Sequence, residues 1–205
     1  MKITIMLFEQ ADLLDFGGPY EVFLTASRLA VRDGLPEPFS VTAVSLNGQA
    51  IDAYGGMHIV PQSSLEDAMP CDVLIVPGGI DVERFLANKA LLSSIADVAR
   101  EPDTVVASVC TGAFILAEAG LLNNRPWTTH WEDVDDLAVV LGDKGARRQV
   151  HWVDSGDIVT SAGLSSGIAM SLHLVDRFAG PDLAQRTAKQ IGYSWRSDGQ
   201  IINDR

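Results

Sequence analysis

The chain is short of cysteine, of positive charge and of long apolar runs, and each shortage closes off a class of protein. Two cysteines, Cys71 and Cys110, cannot build a disulfide framework. A reducing compartment is the default for such a chain, so the expected location is cytoplasmic. Lys and Arg number 15 against 27 Asp and Glu, which leaves a net charge of −12. Basic residues do not run together beyond Arg147-Arg148. A protein that reads a phosphate backbone needs a basic face, so neither nucleic acid nor an anionic membrane is an expected partner. No apolar run reaches the roughly 18 residues of a membrane-spanning helix. The opening MKITIMLFEQ lacks a cleavage-site pattern and reads as a strand rather than a leader.

What is present is a globular composition, 47% apolar and 20% charged, over 205 residues. At about 150 residues per domain this predicts one domain, 1–205. Linkers, internal repeats and low-complexity tracts are not visible. Residues 2–8 read as a buried first strand. The segment 9–19 reads as a turn-rich connection, with Pro19 placed at the first turn of a helix that ends near Gly34. Strands are expected over 39–46, 72–76, 104–109, 150–153 and 158–160, with a short one over 127–130 and a hairpin within 47–62. Helices are expected over 82–100, 113–120, 131–141, 165–179 and 181–191. Strands alternating with helices predict an α/β fold with a mostly parallel sheet covered on both faces. In such sheets the active crevice lies at the carboxyl ends of the strands.

Ser108-Val109-Cys110-Thr111-Gly112 is the strongest local signal. A β-branched strand runs straight into a helix with the cysteine at the junction, the context of a nucleophile held on a strained turn. A helix N-terminus carries partial positive charge and unpaired N–H groups. A thiolate there is expected to be stabilised and its pKa lowered. The alternative is a buried, inert cysteine. Gly78-Gly79 closes the adjacent strand, and its N–H groups together with that of Thr111 are expected to cradle a developing anion; the alternative is a plain tight turn. Asp15 is either a helix-start acid or a general acid/base facing Cys110, with Glu9 and Asp12 competing for that role. His130 either pairs with the thiol or packs with both nitrogens satisfied. Phe114 and Trp131 either line a substrate pocket or belong to the core. His58, His151, His173 and Cys71 are read as non-functional. Neither a metal-ligand constellation nor a phosphate-binding glycine motif is visible, so no cofactor is expected.

Five pieces carry a resemblance: Leu14-Asp15-Phe16-Gly17-Gly18-Pro19-Tyr20-Glu21-Val22-Phe23, Val76-Pro77-Gly78-Gly79, Ser108-Val109-Cys110-Thr111-Gly112-Ala113-Phe114, Thr128-Thr129-His130-Trp131 and Thr160-Ser161-Ala162-Gly163-Leu164. In this order they resemble the ThiJ/PfpI (glutamine-amidotransferase-like) superfamily, from residue 3 to about residue 193. More narrowly they resemble the branch of isonitrile hydratases and of amidotransferase-like domains in AraC-type regulators. The resemblance implies a flavodoxin-like three-layer sandwich with a nucleophile elbow, usually a homodimer. It implies catalytic roles for Asp15, Cys110 and Thr111, and a lyase that adds water to an isonitrile, giving an N-substituted formamide. The chain departs from that branch at Ala169 and Gly192, where relatives often carry acids, and at Asn124, where they often carry glycine.

Rival readings share the same cysteine. One is glyoxalase or amide-hydrolase chemistry. Another is a non-enzymatic ligand sensor related to the AraC-type domains. A third is a redox sensor in which Cys110 is oxidised.

Overall fold

The structure is a computed structural model that describes residues 1–199. Seven strands form one sheet in the order β5-β2-β1-β6-β7-β9-β8. They are β1 (Lys2–Leu7), β2 (Ser40–Ser45), β5 (Ser63–Ser64), β6 (Val73–Val76), β7 (Val105–Ser108), β8 (Trp152–Asp154) and β9 (Ile158–Ser161). All neighbours are parallel except β8, which runs antiparallel to β9. The short strands β3 (Ile51–Asp52) and β4 (His58–Ile59) pair as the expected hairpin. Every residue of β6 (VLIV), β7 (VVAS) and β9 (IVTS) is buried. Unbroken burial marks strands covered on both faces, which is why these runs show no polar alternation.

Two groups of helices supply that cover. The first is α1 (Leu13–Arg32), α7 (Ser166–Ala179) and α8 (Pro181–Ile191), which pack on one another. The second is α3 (Val82–Leu86), α4 (Lys89–Val98), α5 (Gly112–Glu118) and α6 (Val134–Leu141), linked through α5. A short α2 (Leu65–Ala68) sits against β2 and β5. The expected mostly parallel α/β sandwich is therefore the observed architecture.

Three expected elements differ. The helix expected over 82–100 is two, because the Asn88 side chain accepts from Leu91 N–H at 3.1 Å and restarts the chain as α4. The strand expected over 127–130 reduces to a single bridge between Trp127 and Ala146. The largest difference is at the start of α1, which begins at Leu13 rather than Pro19 and carries Pro19 inside it. Gly18 permits this: a Cβ there would sit 2.9 Å from Ile168 Cγ1, so α1 and α7 approach where a side chain would hold them apart. Tertiary packing overrides the local preference of Gly-Gly-Pro for a turn.

Two departures from the family pattern also have a local account. Asn124 has φ 59°, the left-handed conformation that glycine or asparagine tolerates best. Gly192 closes α8 in the left-handed region at φ 72°, where an acidic side chain would be strained. Ala169 is buried and its carbonyl accepts from Trp195 Nε1–H at 3.0 Å.

Candidate active site

Strands β1, β6 and β7 lie side by side and deliver three loops to one end of the sheet. The β1 loop leads into the first turn of α1 with Asp15. Pro77-Gly78-Gly79 follows β6, and Val109-Cys110-Thr111 follows β7. The register continues past the last strand residues, since Val109 N–H donates to Val76 O at 3.0 Å. Sequence-distant residues are thus placed within hydrogen-bonding reach.

Cys110 sits at φ 90°, a conformation that costs a non-glycine residue energy and is held only by its surroundings. Gly112 makes the turn possible, because a Cβ at this position would meet Val76 O at 2.6 Å and Pro77 O at 2.7 Å. At the other side Thr129 Oγ1–H donates to Cys110 O at 2.5 Å, fixing the peptide of the turn. The cysteine is 4% exposed.

Asp15 is completely buried. Its Oδ2 accepts the Gly78 N–H at 2.9 Å, while its Oδ1 has no hydrogen-bond partner of good geometry. The thiol of Cys110 is the titratable side chain that interacts with this carboxyl as a hydrogen-bonding group. Burial raises the Asp15 pKa to about 7, against the Gly78 bond, which lowers it, with Asp12 adding a further upward push. The carboxyl therefore changes charge in the neutral range.

Thr111 closes the constellation. Its hydroxyl accepts from Gly79 N–H at 2.8 Å and donates to Gly79 O at 2.7 Å. Gly78 must lack a side chain here, since a Cβ would fall 2.6 Å from Thr111 Oγ1 and 2.8 Å from Thr111 N.

Two expectations need correction on these observations. The thiol is not a stabilised thiolate: burial first, then the Asp15 charge, push its pKa up, and the Thr111 N–H opposes them only in part. Helix α5, seven residues long, does not outweigh a buried carboxylate beside the sulfur. Nor are the Gly78 and Gly79 N–H groups open donors for a developing anion. Gly78 holds Asp15 and Gly79 holds Thr111, so both position side chains instead. The Thr111 N–H remains directed at the sulfur.

His130 is brought to the same end of the molecule, but its Nδ1 faces Asp133 Oδ2 at 3.3 Å and Glu132 Oε2 at 3.8 Å rather than the thiol. Its ring lies against Gly163, where a Cβ would meet His130 Cδ2 at 2.7 Å. It acts on Asp12 electrostatically, lowering a pKa that burial raises. Of the competing acids, Glu9 turns away and accepts from Asp52 N–H at 3.3 Å. Trp131 is 74% exposed and lines a cavity of about 490 Å³ with Thr129, Val134 and Ala162. Phe114 packs on the core.

The residues read as non-functional have structural partners: His58 with Asp52 at 2.9 Å, His173 with Asp154 at 2.8 Å, and His151 with the Ser166 hydroxyl at 3.0 Å. Cys71 is a buried free thiol. What sequence reasoning missed is Thr129, whose hydroxyl clamps the elbow. The only signal for it was its place in Thr128-Thr129-His130-Trp131.

A parallel sheet with a strained cysteine elbow and a buried acid on the neighbouring loop defines the class, and the chain belongs to the DJ-1/PfpI family, whose pattern matches residues 1–177. Among characterised relatives, an isonitrile hydratase of Pseudomonas putida is 31% identical over 194 residues, covering 95% of this chain and 79% of its own. The HTH-type transcriptional regulator GbdR of Pseudomonas aeruginosa is 26% identical and covers 94% of this chain, which spans 50% of that regulator. Among solved structures, a ThiJ/PfpI family protein from Pseudomonas syringae superposes with a TM-score of 0.80 at 24% identity, covering 94% of this chain and 75% of its own. DJ-1beta of Drosophila melanogaster superposes with a TM-score of 0.78 at 20% identity, covering 94% and 98%.

Proposed function

We propose that the protein is a cofactor-free lyase of the isonitrile hydratase type. In this reading it acts as a single domain and a homodimer, adding water to an isonitrile to give an N-substituted formamide. The observation that carries this reading is the buried Asp15 carboxyl beside the Cys110 thiol, poised to ionise near pH 7. The similarity to an isonitrile hydratase supports it.

The chemistry follows from where the proton sits. At rest the sulfur holds its proton and Asp15 is the base. Asp15 takes the thiol proton as Sγ bonds to the terminal isonitrile carbon, then returns that proton to the same carbon, leaving a thioimidate. Ionised again, Asp15 takes a proton from water as the water oxygen bonds to the thioimidate carbon, and passes it to the nitrogen. The C–S bond then breaks, the new hydroxyl proton returns through Asp15 to Sγ, and the formamide leaves. Thr111, with its proton committed to Gly79 O, presents a remaining lone pair that orients the water. A narrow, linear isonitrile terminus suits a sulfur that is only 4% exposed.

The test is a panel of isonitriles, glyoxals and small amides on the wild type, Cys110→Ala and Asp15→Asn. Formamide production by the wild type, lost in both variants, is the expected result. Turnover of methylglyoxal or an amide alone replaces the substrate class. Equal inactivity of all three proteins on every compound removes the enzymatic reading.

The regulator relatives favour a second reading, ligand sensing at the same cysteine elbow without turnover. Saturable isonitrile binding by the wild type, with no formamide formed, would select it.

A further inference from the structure

We propose that the cleft beside Trp127, which the cysteine elbow does not line, binds a small dianion of the phosphate class that carries an apolar body.

The cleft encloses about 330 Å³. Its basic lining is Arg125, Lys144 and Arg147, and its partly exposed apolar walls are Pro126 and Leu141, over buried Leu122 and Trp127. Not one of its lining residues is acidic. In a chain with 15 basic residues and a net charge of −12, three cations around one concavity without a lining acid is a marked local reversal. The nearby acids have partners outside the lining: Asp157 takes a two-pronged ion pair from Arg125, and Asp143 shares Arg148 with Asp135, at 2.8 and 2.7 Å.

Lys144 and Arg147 are then the lining cations without an ion pair among the described residues. Lys144 has no ion pair or side-chain hydrogen bond among the described residues. Arg147 is held in place from one side only, its Nη1–H groups donating to the carbonyls of Lys144, Gly145 and Ala146 at 3.2, 3.2 and 3.1 Å. A guanidinium fixed by one nitrogen presents its other donors with little further ordering cost, the arrangement that suits a phosphate oxygen pair. Gly145 shapes the pocket, since a Cβ there would strike Arg125 O at 2.5 Å and Trp127 Nε1 at 2.8 Å. The turn bearing Lys144 and Arg147 can therefore close onto the Arg125–Trp127 segment, which sets both charges over an apolar wall. Two cations without ion pairs on one cleft favour a dianion over a monoanion, and the wall favours an attached ring or chain over the bare ion.

Titration calorimetry of the full chain at low salt tests this with three probes: phenyl phosphate, phenylacetate and inorganic phosphate. The expected result is one phenyl phosphate per chain, held about tenfold more tightly than either other probe. Lys144→Gln should weaken it about fivefold, and Arg147→Gln at least as much. Arg147 also ties down its turn, so Lys144→Gln, on an exposed side chain, keeps the test valid should that variant fold poorly. Absence of saturable phenyl phosphate binding, or affinity unchanged by Lys144→Gln, overturns the site. Equal affinity for phenylacetate overturns the dianion, and equal affinity for inorganic phosphate overturns the apolar body. None of these outcomes depends on whether isonitriles are turned over.

Discussion

Gly78 N–H reaches across from the end of β6 to Asp15 Oδ2 at 2.9 Å, and this bond, 63 residues apart in sequence, holds the acid in an otherwise dry environment. It lowers the Asp15 pKa, yet burial wins and the group still ionises only near 7. The fold therefore carries a carboxylate it would be more stable without.

The first expected outcome concerns stability against pH. The folded-state pKa of Asp15 lies above its ordinary value of 3.8, so the folded protein binds this proton more tightly than the unfolded chain does. That contribution is complete below about pH 4 and is lost as pH rises through about 7. A shift of this size corresponds to roughly 4 kcal/mol as an upper figure. Asp15→Asn keeps an acceptor for Gly78 and removes the ionisation. Its unfolding free energy should fall less steeply across that window and exceed the wild type's by about 1–3 kcal/mol at pH 8. Denaturant titrations at pH 5 and pH 8 check both points.

A second expectation concerns rate against pH. With the thiol pushed up and Asp15 acting as base, kcat/KM for an isonitrile should rise with pH through about 7 and then level off. A cysteine already ionised at rest would give a profile that Asp15→Asn leaves standing. Under the proposed chemistry that variant loses at least about a hundredfold.

Thr111 provides the third. Thr111→Val removes a hydroxyl that satisfies both the N–H and the carbonyl of Gly79. Two buried polar groups losing a partner should cost about 2 kcal/mol or more. Thr111→Ser should recover most of it. Chemical denaturation of the pair separates this loss of polar partners from any change in turnover.

The fourth concerns strain at the elbow. Cys110→Gly relieves a φ of 90° that Cys110→Ala retains. Both variants lack the sulfur, so under the proposed chemistry both are inactive. The glycine protein should nonetheless be the more stable of the two by about 1 kcal/mol, as read from melting curves.

Much of the scaffold was legible in the chain itself. The runs VLIV and VVAS announce strands covered on both faces, and Cys110 followed by Thr111-Gly112 announces the strand-to-helix corner. Choosing Asp15 over Asp12 and Glu9 as the partner of Cys110 needed the family resemblance, since 95 positions separate the two and only the β1–β6–β7 adjacency brings them together. The start of α1 was misread because Gly17-Gly18-Pro19 looks like a turn; the contact of Gly18 with Ile168 that makes it helical is long-range. The direction of the thiol's pKa was misread for a related reason. A helix dipole can be inferred from local order, whereas the depth of burial and the neighbouring carboxylate belong to the assembled molecule.

That Gly18 contact reaches further than backbone shape. The first turns of α1, which bear Asp15, pack against α7 at Gly18, so the placement of the acid depends partly on a neighbouring helix. A methyl group added at residue 18 would make Ile168 yield or tip the opening of α1 outward. Under the proposed chemistry, proton transfer would then register a change made at a position outside the Asp15–Cys110–Thr111 set.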